Sequence, residues 1–224
     1  MISVLLVYVI CLVFRFFEYF FIRTDYSVLG EAVVHKILGI IIFCLAVHIF
    51  NYDYKKTVFF SVSWKKKLSA GIVFGSICFA IAYFTEIIIL TKTNSFDNLA
   101  FYVTSYSVNG NFGNRAELIF FAICILGNII NVLMEEGIFR GLFLTRLQGK
   151  YSFVLSAIIS SALFGLWHCT APLRSFIDGE SSSFQLLMNC LILVLSSALV
   201  GFKFCMLTKI TGSVYMSMGG TFCK

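Results

Sequence analysis

Long apolar stretches recur along the whole chain, and that recurrence limits the fold more than any single motif. A helix needs about 20 apolar residues to cross the hydrocarbon core of a bilayer. Residues 1–22, 32–50, 68–91, 117–148, 151–171 and 184–207 form such stretches. A seventh run opens near Gly212 and the chain stops at Lys224, about half a span later. Hydrophobic residues make up 59% of the 224 and charged residues 12%, against near 45–50% and about 25% in soluble domains. A water-soluble fold of this length would need far more polar surface to cover itself. The expected fold is therefore all-α: a polytopic membrane helical bundle of six full spans plus a truncated seventh, in one membrane domain over 1–224. A cleaved signal peptide at 1–22 is disfavoured, because no basic n-region opens it and no small-x-small site follows. Arg15 and Glu18, three apart in the first span, are expected to neutralise each other on one helix face. Pro172 is expected to end the fifth span.

Charge between the spans alternates. Residues 51–67 hold Lys55, Lys56, Lys65, Lys66 and Lys67 against Asp53; Arg146 and Lys150 follow the fourth span, and Lys203 and Lys209 the sixth. The other connections are balanced: Arg23 with Asp25 and Glu31, Lys92 and Arg115 with Asp97 and Glu117, Arg174 with Asp178 and Glu180. Basic loops stay on the cytoplasmic side, which predicts a cytoplasmic N-terminus in a plasma membrane. The stretch 92–116, rich in Asn, Ser, Thr and Gly, reads as an extracytoplasmic loop dividing the preceding helices, 1–91, from a core at 115–224. The net charge of +6 does not indicate nucleic acid, since the basic residues form no single patch with stacking aromatics. Lipid is the expected environment. The eight cysteines are scattered singly and read as small buried hydrophobes.

Two polar intrusions remain. Glu135 and Glu136 lie in the otherwise apolar GNIINVLMEEGIFRGLFL, where a carboxylate costs about 2.5–3.5 kcal/mol on insertion scales. Arg140, four residues after Glu136, shares its face and compensates it; Glu135 lies about 100° around the helix, without a local cation. The second intrusion is His168, in SALFGLWHCTAP. A short turn near 149–150 should set the fourth and fifth helices antiparallel, with Glu135 about 14 residues before it and His168 about 18 after. At 1.5 Å per residue the two differ in depth by roughly 6 Å, so both can reach one cavity. A carboxylate and an imidazole on a shared pocket can activate and orient water for attack on a carbonyl. His35 and His48, 13 apart near opposite ends of the second span, are poor substitutes for that role. A divalent metal such as zinc is left unassigned: HExxH is absent, and one histidine with two glutamates falls short of a ligand set.

Glu135-Glu136-x-x-x-Arg140 followed by Phe164-x-x-x-His168 resembles the first two motifs of the CPBP intramembrane proteases, also called the Abi or type II CAAX-protease family. The resemblance covers roughly 115–224. It implies a metalloendopeptidase-type fold and activity in which Glu135 activates water and His168 shares its cavity, with Glu136, Arg140 and Phe164 supporting the site. It also implies a peptide or prenylated-protein substrate, such as a CAAX tail or a bacteriocin-related peptide. The family's third motif places a histidine, and four residues later an asparagine, after a Gly-Ser start. Here Gly212-Ser213-Val214-Tyr215 opens that helix, the histidine position reads as Thr221, and the chain ends before the asparagine. Those residues steady the oxyanion in the family, and loss of one such donor costs about 10²–10³ in rate. Three functions are therefore weighed: an intramembrane endopeptidase, a catalytically degenerate immunity or binding protein of the same family, and a small proton-coupled transporter. The transporter lacks support from an inverted repeat or a broken-helix pair.

Overall fold

The computed structural model describes residues 1–27, 32–50, 61–99, 103–104, 114–115 and 118–223. Its helices are α1 (Ile2–Phe17), α2 (Val34–Ile49), α3 (Trp64–Lys92), α4 (Leu118–Glu135), α5 (Thr145–Gln148), α6 (Phe153–Trp167), α7 (Thr170–Ile177), α8 (Ser183–Thr211) and α9 (Tyr215–Phe222). The other elements are β1 (Val103–Thr104), paired antiparallel with β2 (Asn114–Arg115), two π-helical segments, Glu18–Ile22 after α1 and Glu136–Leu144 after α4, and a 3₁₀ turn at Thr24–Tyr26. The rest of the expected 92–116 loop lies largely outside the described residues. This is the all-helical membrane architecture that the apolar runs predict.

Among the described residues, five helical stretches are long and apolar enough to cross a membrane: Ile2–Ile22, Trp64–Lys92, Leu118–Gln148, Phe153–Ile177 and Ser183–Thr211. Helix α2 is apolar but has 16 residues, about 24 Å of rise, and α9 has 8. Several lysines assigned to loops are helical instead. Lys65, Lys66 and Lys67 open α3, and Lys203 and Lys209 lie within α8. Two of the ammonium groups lie over aromatic rings, Lys203 Nζ 4.6 Å from the Phe204 ring centroid and Lys209 Nζ 4.2 Å from that of Phe153. Pro172 does not end a span. Helix α6 stops at Trp167, and Pro172 falls in the first turn of α7, where a missing N–H costs no intrahelical bond.

Two packing units position the later helices. In the first, an aromatic core gathers Tyr8 of α1, Phe139 and Phe143 of the π segment, and Phe164 and Trp167 of α6. Phe139 sets its ring edge-on to Phe143, Phe164 and Trp167 at centroid distances of 5.4, 5.1 and 6.0 Å. In the second, α9 lies along α3 with the two backbones in contact. A Cβ on Gly71 would collide with the Met216 carbonyl, one on Gly219 with the Leu68 carbonyl, and one on Gly75 would sit 2.9 Å from Cys223 Cβ. Small residues permit that approach in lipid, where van der Waals packing replaces the hydrophobic effect between helices. Helix α8 starts at a capping box made by Ser182 and Gln185 and ends at Gly212, whose φ of 64° reverses the chain into α9. Lys67 Nζ then donates to the Thr211 carbonyl at 2.6 Å, placing a cation on the C-terminal end of α8.

Candidate active site

The fourth long helix changes geometry between the two glutamates. Glu135 is the last residue of α4 and Glu136 the first of the π-helical segment, all nine of whose residues are buried. An i→i+5 stretch is rare and occurs mostly inside α-helices at functional sites. Thr145 Oγ1 donates to the Gly141 carbonyl at 2.8 Å where the segment returns to α-helix. Ser160 of α6 donates to the Phe139 carbonyl at 2.7 Å, a buried bond that ties the widened turn to its neighbour.

Glu136 is fully buried and lies 3.1 Å, through Oε1, from Arg140 Nη1. The same oxygen accepts from Thr221 Oγ1 at 2.9 Å, and Ser217 lies against the carboxylate. Arg140 is 1% exposed. Its Cζ is 4.3 Å from the Phe164 ring centroid and 5.4 Å from that of Phe204, so two aromatic faces flank the cation in place of water. Gly201 of α8 makes the space: a Cβ there would sit 3.3 Å from Arg140 Nη2. Phe204, Ser217, Thr208 and Gly201 were not marked out by the sequence, because small and aromatic residues in apolar helices carry no signal of their own.

His168 joins the same chain of contacts. Its ring meets Phe164 edge-on at 4.8 Å, and its Nδ1–H donates to the Phe164 carbonyl at 2.8 Å. A carbonyl only accepts, so this bond fixes the tautomer and makes Nε2 the acceptor of the ring. The backbone tightens there as well, with His168 N donating to the Gly165 carbonyl at 3.0 Å as α6 ends. Phe164 therefore connects the two intrusions, with Arg140 on its face and His168 against its ring. Glu135, beside Glu136, is 4% exposed and its Oε2 has no hydrogen-bond partner. Thr221, at the position where a third-motif histidine was expected, reaches the site from α9 and is 1% exposed. Asn128 of α4 holds the end of that helix by donating to the Phe222 carbonyl at 2.7 Å.

Residues 117–222 match the family model described as Type II CAAX prenyl endopeptidase Rce1-like. Over that stretch, a little under half of the chain, the later helices are similar to the Rce1-like family. The matched region contains Glu135, Glu136, Arg140, Phe164, His168 and Thr221, and leaves α1, α2 and α3 outside. No curated protein and no solved structure matches the chain.

The donor set was also tested against a metal. Among the described residues no three His, Cys, Asp or Glu side chains gather as ligands, and Glu136 already spends its Oε1 on Arg140 and Thr221. A zinc site with three protein ligands does not fit these residues.

Proposed function

We propose that the Rce1-like region is an intramembrane endopeptidase in which Glu135 activates a water that hydrolyses a peptide bond in or near the membrane. The observation that carries this reading is the division of labour between adjacent glutamates. Glu136 holds Arg140 and Thr221 on its Oε1, whereas Glu135 forms no ion pair among the described residues; the Oε2 of each is buried without a hydrogen-bond partner. Glu135 takes one proton from water while His168 Nε2 accepts a hydrogen bond from the other, fixing the direction of attack. The oxygen adds to the scissile carbonyl, and the tetrahedral adduct collapses with the Glu135 proton delivered to the departing amine. Glu136, Arg140 and Phe164 hold both groups in place without exchanging protons. The substrate class is a peptide or prenylated protein presented from lipid. With α2 counted as a crossing, Lys65–Lys67, Arg146, Lys150 and Lys209 fall on the same side as the N-terminus, which supports a cytoplasmic N-terminus.

A second reading is favoured by one specific feature, the threonine at position 221. Its hydroxyl donates to Glu136 rather than presenting an imidazole, which suits a degenerate relative acting as a membrane immunity or binding protein. Cleavage of a quenched fluorescent transmembrane peptide in proteoliposomes separates the two. The protease reading predicts turnover by the wild type and its loss in Glu135→Gln with the protein still inserted and folded. Equal cleavage by that variant removes Glu135 from the chemistry. A wild type that cleaves neither this peptide nor a prenylated one favours the degenerate relative.

A further inference from the structure

The first two helices carry a second buried polar group, outside the region matched by the family model. Glu18 is completely buried at the start of its π-helical turn. Its Oε2 accepts from His35 N at 2.6 Å and pairs with His35 Nδ1 at 2.5 Å, while Oε1 accepts from Val34 N at 2.8 Å and from the Thr24 hydroxyl. The carboxylate thus caps the N-terminus of α2, where unsatisfied N–H groups and the helix dipole favour an anion. The expected direct Arg15–Glu18 pair is not what forms. Arg15 Nη1 lies 3.2 Å from His35 Nε2, so the imidazole stands between carboxylate and guanidinium. A guanidinium only donates and an ionised carboxylate only accepts. One arrangement satisfies both: a neutral His35 with its proton on Nδ1.

That arrangement aims Arg15 at α6. Its Cζ is 4.6 Å from the Trp167 ring centroid, and His35 flanks the same indole at 5.9 Å. Trp167 is 1% exposed and its Nε1 has no hydrogen-bond partner, so faces and edges alone fix the ring. The next residue is His168. On the far side of His168 the same N-terminal segment grips α7, through Arg174 Nη1 to Asp25 Oδ2 and Arg23 Nη2 to Asp178 Oδ1, both at 2.6 Å.

We infer that Glu18, His35 and Arg15 form a positioning relay which, through Trp167, sets the orientation of His168. The inference rests on the hydrolytic reading above for its consequence in turnover, and on geometry alone for its effect on the ring. Glu18→Gln tests it with almost no change of shape. Whichever way the new amide turns, its NH₂ faces a donor, either Val34 N–H or the paired donors of His35. Arg15→Met is the companion variant, leaving Glu18–His35 intact and removing only the link to the indole.

The chain has three histidines, so ¹⁵N-histidine spectra in lipid nanodiscs resolve each ring. The relay predicts that both variants move the His168 resonances and leave exposed His48 unmoved. It also predicts that kcat on the transmembrane peptide falls about 10- to 100-fold, with KM held within about twofold, as a misplacement near 1 Å does. Unmoved His168 resonances in Arg15→Met overturn the relay, whatever the rate. Moved resonances with an unchanged kcat, beside an inactive Glu135→Gln, overturn its part in turnover while the protease reading stands. If Glu135→Gln cleaves as well as wild type, the assignment of Glu135 as the base fails, and the spectra alone decide the relay.

Discussion

Replacing Glu136 with alanine should unfold this protein at a much lower temperature, whereas the same change at Glu135 should not. Arg140 is 1% exposed, and among the described residues the carboxylate oxygen paired with it is Glu136 Oε1 at 3.1 Å. Removing one partner of a buried pair costs about 3–5 kcal/mol, because the remaining charge stays desolvated. For a chain of this length 1 kcal/mol moves the midpoint by about 2–4 °C, so Glu136→Ala should lower it by roughly 6–20 °C. The loss of the acceptor for Thr221 acts in the same direction. Glu135 holds no cation in an ion pair among the described residues and its buried Oε2 has no hydrogen-bond partner, so its truncation removes a desolvated group without orphaning a charge and leaves the midpoint unchanged or higher. The double variant Glu136→Met/Arg140→Met should recover most of the loss, since replacing a buried pair by apolar residues is often neutral. Melting followed by tryptophan fluorescence in detergent reads all three. Equal losses for the two single glutamate variants would refute the division of roles between them.

Three further variants test how α9 reaches the site, one of them a control. Gly219→Ala should lower the midpoint by several degrees and reduce any turnover, because its Cβ meets the Leu68 backbone and pushes α9 off α3; Gly149→Ala, whose nearest neighbour would be 3.4 Å away, should do neither. Thr221→Val, close in volume, should cost about 1–3 kcal/mol by removing a hydroxyl donor from the buried Glu136 carboxylate, whose Oε1 keeps Arg140, and a melt unchanged from wild type would show that this bond carries no weight.

The membrane class and the helical architecture were legible from apolar run length and composition, because lipid leaves few alternatives to a helix. The pairing of Glu136 with Arg140 was legible for a local reason: four residues along a helix bring two side chains to one face. The same local logic failed at Arg15 and Glu18. Their spacing permits a pair, but Glu18 is drawn to the open N-terminus of α2 and to His35, a partner 17 residues away that no local spacing reveals. The π-helical turns at Glu18 and Glu136 were equally hidden, since neither Gly nor Pro marks where an i→i+5 bond will form. Lysines misplaced the ends of α3 and α8 because aromatic rings hold several of their ammonium groups against the helices, Phe204 for Lys203 and Phe153 for Lys209. The contribution of α9 could be placed only through Gly71, Gly75 and Gly219, which matter by what they omit.

Cleavage of a prenylated or transmembrane peptide in proteoliposomes prepared in H₂¹⁸O tests the central claim most directly. Wild-type protein should place one ¹⁸O in the new C-terminal carboxylate, read by mass spectrometry, and Glu135→Gln should yield no labelled product. Labelled product forming at the same rate with Glu135→Gln would contradict the assignment of this carboxylate as the base.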